Sequence, residues 1–133
     1  MNIQLGKHDA TPINHDPWSH LQLISILHTI RENVPGCLIG IYAGGRNWLP
    51  MTVMGMLLGA DIVRVGIEDA YWMYPHRDDI IKNNVDVVKM AVDLAGMLGR
   101  RVVTDADEAR RILGIKLTSA KSEARPKLTA AAA

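Results

Sequence analysis

The sequence predicts an α/β fold built on a parallel sheet. Short apolar runs and helical patterns alternate along the chain, in the order strand, helix, strand, helix, strand, helix, then a short terminal helix. The apolar runs also lack internal alternation, as strands covered on both faces do. A further observation marks where chemistry would sit. The segments after the strands, Gly6-Lys7-His8-Asp9, Gly44-Gly45-Arg46-Asn47 and Gly66-Ile67-Glu68-Asp69, are polar and glycine-marked. In a parallel sheet such segments gather at one edge.

Each element has its own signal. Ile3-Gln4-Leu5-Gly6 reads as the tail of a strand. After a polar loop, Asp16 fits an N-cap and Pro17 a first helical position. Trp18, Leu21, Ile24, Leu27 and Ile30 then recur at helical spacing, until Asn33-Val34-Pro35-Gly36 stops the helix. Cys37–Ala43 is a continuous apolar run, predicted as a strand buried on both faces. A helix is predicted over 50–58, ended by Gly59, with apolar residues (Met51, Val53, Met54, Met56, Leu57, Leu58) nearly all round and therefore several neighbours. Asp61–Gly66 is the third strand. The loop at 70–79 carries Tyr71, Trp72, Tyr74, Pro75 and His76. A long helix over 83–98 places Val85, Val88, Val92 and Ala95 on one face, with Gly99 at its end. Arg101-Val102-Val103 is extended. Thr104 to Asp107 fits a capping box for a short helix that stops at Gly114. From Lys116 there is little apolar content, so residues 116–133 are expected to be a disordered tail behind a domain of residues 1–115.

Composition narrows the class. At 133 residues the chain is one domain or part of one, and 48% hydrophobic content is enough for a core. A formal net charge of +1 argues against a nucleic-acid or polyanion surface. Cys37 is the single cysteine, so neither a disulfide framework nor a cysteine zinc site is expected. No secretory signal is visible, and the longest apolar stretch is too short to span a bilayer. The expectation is a soluble, cytoplasmic protein.

Arg64, Glu68 and Asp69 are the charged groups of most interest, because they close an apolar strand. Carboxylates there must be paired, hydrogen-bonded or metal-bound to offset desolvation. Glu68 fits a metal ligand or an ion pair with Arg64 or Arg46. Asp69 fits proton transfer or the orientation of an arginine, and equally a turn or N-cap. Arg64 can clamp a carboxylate bidentately or neutralise the acids beside it. Gly44-Gly45 permits close approach of a phosphate or simply a tight turn; the full dinucleotide fingerprint is missing. His8, His15 and His20 are spaced by seven and five residues, which matches no zinc pattern; only His8 is retained, because it follows a strand. Tyr71, Trp72 and Tyr74 suit a lid, a subunit contact or an anchor for the loop.

Four segments in order carry a resemblance: GGRNWLPM at 44–51, RVGIED at 64–69, VVKMAVDLAGMLGR at 87–100 and VVTDADEARRILGI at 102–115. Together they resemble the C-terminal part of the β-keto acid cleavage enzymes, typified by 3-keto-5-aminohexanoate cleavage enzyme. The resemblance covers nearly all of residues 1–115. It implies a partial (β/α)₈ TIM barrel: about the last three βα units plus a short C-terminal helix. It implies a divalent metal, usually zinc, and a reaction of a β-keto acid with acetyl-CoA that yields acetoacetate and a new acyl-CoA. By the same resemblance Glu68 is a metal ligand, and Arg64 and Asp69 act together in proton transfer. Gly45, Arg46 and Asn47 are expected to bind substrate.

This sequence departs from the family pattern in two places. The common form has Asn after the aspartate and a shorter loop; here Ala70 precedes YWMYPHRDD, so lid and specificity are expected to differ. The family's two metal-binding histidines lie in an HxH pattern on an early strand, and no HxH occurs here. The match begins near the sixth strand. A barrel of this kind takes roughly 250 residues. The expectation is a half barrel with open edges, inactive alone, that forms a homo-oligomer or pairs with an N-terminal half chain. Two rival expectations are a non-catalytic oligomerisation module, using the methionine-rich helix and aromatic loop, and a small phosphate- or CoA-binding module at Gly44-Gly45.

Overall fold

The structure is a computed structural model that describes residues 1–5 and 18–115. The Gly6–Asp9 segment with His8, the Asp16 cap, Pro17, His15 and the expected tail from Lys116 lie outside the described residues. The elements are β1 (Asn2–Leu5), α1 (Trp18–Asn33), β2 (Gly40–Ala43), α2 (Trp48–Leu57), β3 (Ile62–Arg64), α3 (Asn84–Met97) and α4 (Ala106–Ile112). The strands form a three-stranded parallel sheet in the order β1-β2-β3. The α/β class and the βα alternation are therefore as predicted, and the arrangement is compatible with a partial βα fold. No helix among the described residues is long and apolar enough to cross a membrane.

Strands β2 and β3 are shorter than the apolar runs that contain them, each for a local reason. Ile39 does not extend β2 because its N–H donates to the Asp61 carboxylate at 2.8 Å. Asp61 thereby becomes a side-chain clamp rather than the first residue of β3. At the other end the Gly66 carbonyl accepts from Asp69 N–H and Ala70 N–H, both at 3.1 Å, so the chain turns immediately after Val65.

Pairing register assigns the two faces of the sheet. Ile3, Ile41 and Val63 are partners and share a face. A Cβ at Gly55 would overlap Ile41 Cδ1, so this face packs directly on α2. Leu23, Leu27 and Ile30 of α1, Trp48 and Met51 of α2, and Val87 of α3 complete the core. The opposite face carries Asn2, Gly40 and Ile62, then Tyr42 and Arg64. Ile62 is 39% exposed there. Burial on both faces, predicted from the unbroken apolar runs, thus does not hold for β3.

Helix faces also differ from expectation. In α1 the buried stripe is Leu23, Leu27 and Ile30, whereas Leu21 and Ile24 face solvent. In α3 Val87 and Ala95 are buried, whereas Val85, Val88 and Val92 are exposed. Both helices carry two apolar stripes, so periodicity alone does not say which one meets the sheet.

Helix α2 begins at Trp48, two residues before the predicted start, and Pro50 falls in its first turn, where no N–H is required. Its end is a Schellman motif: Gly59, at φ +86°, donates to Met56 O, and Ala60 donates to Gly55 O. Helices α3 and α4 end with the same pair of bonds at Gly99 and Gly114. Asn83 caps α3 by accepting from Asp86 N–H at 2.9 Å. The cap of α4 is Asp105, which accepts from Glu108 N–H at 2.7 Å, rather than Thr104 as predicted. A charged acceptor suits the positive end of the helix dipole better than a hydroxyl. The chain divides into two compact units, Met1–Val102 and the segment beginning at Val103, which holds α4.

Candidate active site

Parallel pairing brings the segments after β2 and β3 side by side. Gly45 N–H donates to Asp69 O at 3.0 Å, which ties the two loops together. Gly45 has φ +71°, so a side chain at this position would be strained. Its N–H is already used by Asp69, so a phosphate cradle here would lack that donor.

Arg64 organises the charged cluster. Its Nε lies 3.0 Å from Asp69 Oδ2, and its Nη2 donates to Asp69 Oδ1 at 3.3 Å. The same Nη2 donates to Glu68 Oε2 at 2.6 Å. One guanidinium therefore holds two carboxylates, and the three groups carry a net charge of −1. The two acids occupy different environments. The Asp69 side chain is 2% exposed, and that of Glu68 is 74% exposed. Asp69 needs Arg64 to offset its desolvation. Glu68 gains little from the pairing, about 1 kcal/mol at most, and its carboxylate faces solvent beside the strand ends. This combination suits a fixed proton-handling or arginine-orienting group next to an accessible cation ligand.

Two further residues shape the cluster, and the sequence did not single them out. Tyr42 is the register partner of Arg64, and its ring centroid lies 5.1 Å from Arg64 Cζ. Asn84, at the start of α3, accepts from Ile67 N–H at 2.8 Å and so holds the turn that carries Glu68 and Asp69. A Cβ at Gly66 would come within 3.2 Å of Asn84 Oδ1, so a glycine there lets Asn84 approach. The RVGIED segment contains that glycine, but nothing in it points to a residue 17 positions away.

Arg46, expected to bind substrate, reaches the aromatic loop. It donates to Arg77 O and to Asp78 Oδ1, both at 2.9 Å, and lies over the Trp72 ring at 4.2 Å. Trp48, 1% exposed, donates through its indole to Trp72 O at 2.7 Å. Met73 N–H donates to Asp79 O and Ile81 N–H to Tyr71 O, so the loop closes on itself. Trp72 thus anchors the loop on the start of α2, whereas Tyr71 is exposed and Tyr74 lies against Arg77 within the loop. Asn47 is the N-cap residue of α2, with no side-chain cap bond. Met51 and Met56 are buried whereas Leu57 is exposed, so the methionine-rich helix gives one face to the core rather than being covered all round as expected.

Among the described residues no group of three or more His, Cys, Asp or Glu side chains could hold a metal ion. Glu68 supplies one carboxylate donor of the right chemistry, and a complete ligand set needs donors from outside these residues.

A parallel βα fold with a charged cluster at the C-terminal ends of its strands defines the general class of α/β proteins that bind ligands at that edge. The chain belongs to the beta-keto acid cleavage enzyme (BKACE) family, whose profile matches residues 13–115. No curated protein matches the sequence.

Proposed function

We propose that this chain supplies the C-terminal part of a zinc-dependent β-keto acid cleavage site. The reaction converts a β-keto acid and acetyl-CoA into acetoacetate and a new acyl-CoA. The observation that carries the reading is the Arg64 guanidinium held between buried Asp69 and exposed Glu68. Glu68 would hold the metal, with the remaining donors supplied from outside the described residues. When bound, the ion supplies Lewis-acid polarisation of the keto group. Asp69 fixes the plane of Arg64 and takes part in moving the proton α to that group. Arg64 stabilises the oxyanion that develops. Gly45, Arg46 and Asn47 form the substrate-side loop: Gly45 by its bond to Asp69 O, Arg46 by holding the aromatic loop.

The chain is inactive alone on this reading, because a single carboxylate binds zinc weakly. The exposed stripes on α1 and α3 and the outer edges of β1 and β3 are surfaces that further βα units would cover. Mixing with a separately produced N-terminal half of a family member, carrying its HxH pair, tests this. Zinc retained by the mixture through gel filtration, together with acetoacetate formation, is the expected result. A stable complex without zinc overturns it.

The oligomerisation reading retains one specific support, the exposed Val85, Val88 and Val92 stripe. A stable homo-oligomer that neither binds zinc nor accepts an N-terminal half would favour it.

A further inference from the structure

We propose that Tyr42 is a positioning residue for Arg64, and that it leaves Nη1 as the donor edge offered to an anionic substrate oxygen. The substrate half of this inference rests on the function proposed above; the positioning half does not. Tyr42 and Arg64 are register partners on adjacent parallel strands, so their side chains rise from the same face of the sheet. That face is the one turned away from α2. Arg64 is half exposed, and a long side chain there would ordinarily sample several rotamers. Three contacts limit it. Nε and Nη2 are engaged by Asp69, Nη2 is also engaged by Glu68, and the Tyr42 ring lies against the guanidinium. The Glu68 contact is solvated and weak. The ring face and Asp69 are therefore the two constraints on the guanidinium, one by cation–π attraction and one by an ion pair with a single hydrogen bond.

The donor count follows from this geometry. A guanidinium has five N–H groups. Nη2 donates to both acids, and Nε lies 3.0 Å from Asp69 Oδ2 in ion-pair contact only. Among the described residues nothing accepts from Nη1. Its two N–H groups suit a carboxylate or a developing oxyanion on the substrate. Without the ring, Asp69 alone restrains Arg64, and Nη1 is offered over a wider range of directions.

The test uses the full chain and the Arg64 Nε–H signal in ¹H–¹⁵N spectra, assigned by its loss in Arg64→Lys. Tyr42→Phe keeps the ring and should leave the exchange rate of that proton unchanged within about twofold. Tyr42→Leu should speed it roughly two- to fivefold, the size of effect an exposed cation–π contact supports. An unchanged rate in Tyr42→Leu overturns the proposal. A rate in Tyr42→Phe as fast as in Tyr42→Leu also overturns it, by assigning the hold to the hydroxyl. Should Tyr42→Leu fail to fold, the unsubstituted chain still decides. Its Arg64 Hδ protons should be shifted upfield by the ring, and random-coil shifts would refute the stacking. In the zinc-loaded complex with an N-terminal half, Tyr42→Leu should lower kcat/KM by a similar factor without loss of zinc. An unaffected kcat/KM removes the substrate half of the inference. No turnover in the unsubstituted complex instead overturns the proposed function, and the spectra still decide the positioning role.

Discussion

The two edges of the sheet use the same residue types in opposite ways. Where the strands begin, arginines donate to backbone carbonyls. Arg31 reaches Cys37 O and Gly59 O, and Arg100 reaches Met56 O and Ala60 O. The aspartate at that edge, Asp61, accepts from Ile39 N–H and pairs with Arg31 at 3.2 Å. Each of these three charges satisfies a backbone group. Where the strands end, Arg64 meets two carboxylate side chains, and among the described residues neither the Arg64 nor the Glu68 side chain bonds to a backbone group. Charge at the first edge ties the chain together. Charge at the second is held by charge: Arg64 offsets the burial of Asp69 and also meets the exposed Glu68, which the fold does not need. That difference matches the division in βα barrels, where one end serves stability and the other chemistry.

The comparison can be broken by mutation, and the largest effect is expected at the first edge. Asp61→Ala removes the acceptor of the Ile39 N–H, a group on a fully buried residue, and also the partner of Arg31. A loss of about 3 kcal/mol is expected, since an acceptor is deleted and a buried donor is stranded. A urea midpoint reads it directly. Arg100→Ala comes next. It releases two carbonyls at and just beyond the C-terminal end of α2, one of them on buried Ala60, and should cost about 1–2 kcal/mol. A midpoint unmoved by either substitution would mean that this edge is not what holds the sheet.

The two edges also differ in how far the sequence disclosed them. The end of β3 was legible because charge directly after a short apolar run is costly unless partnered, and Arg64, Glu68 and Asp69 stand within six residues. Their mutual contact could be expected from nearness in the chain alone. The first edge was not legible. Arg31, Asp61 and Arg100 are far apart in sequence, and each looks like ordinary surface charge until the strands align. The same limit explains Tyr42, Asn84 and Arg46. Register brings Tyr42 to Arg64, the return of the chain into α3 brings Asn84 to Ile67, and the closed aromatic loop captures Arg46. The helices were found by their spacing, but their buried faces were not, because α1 and α3 each carry a second apolar stripe. Only burial in the common core with Ile3 and Ile41 distinguishes the two.

The smallest stability effect is the sharpest test of the comparison. Glu68 is three-quarters exposed, and among the described residues its side chain bonds to Arg64 alone. Glu68→Ala should move the urea midpoint by no more than about 0.5 kcal/mol, as surface substitutions generally do. Arg64 keeps Asp69, so the buried acid remains paired. In the complex with an N-terminal half, the same substitution should abolish zinc retention, because it deletes the carboxylate donor the chain contributes. A residue nearly neutral for folding and decisive for metal content is held for its chemistry. Should Glu68→Ala destabilise the chain as much as Asp61→Ala, the two edges would be structural alike, and the cluster at the end of β3 would no longer argue for a catalytic site.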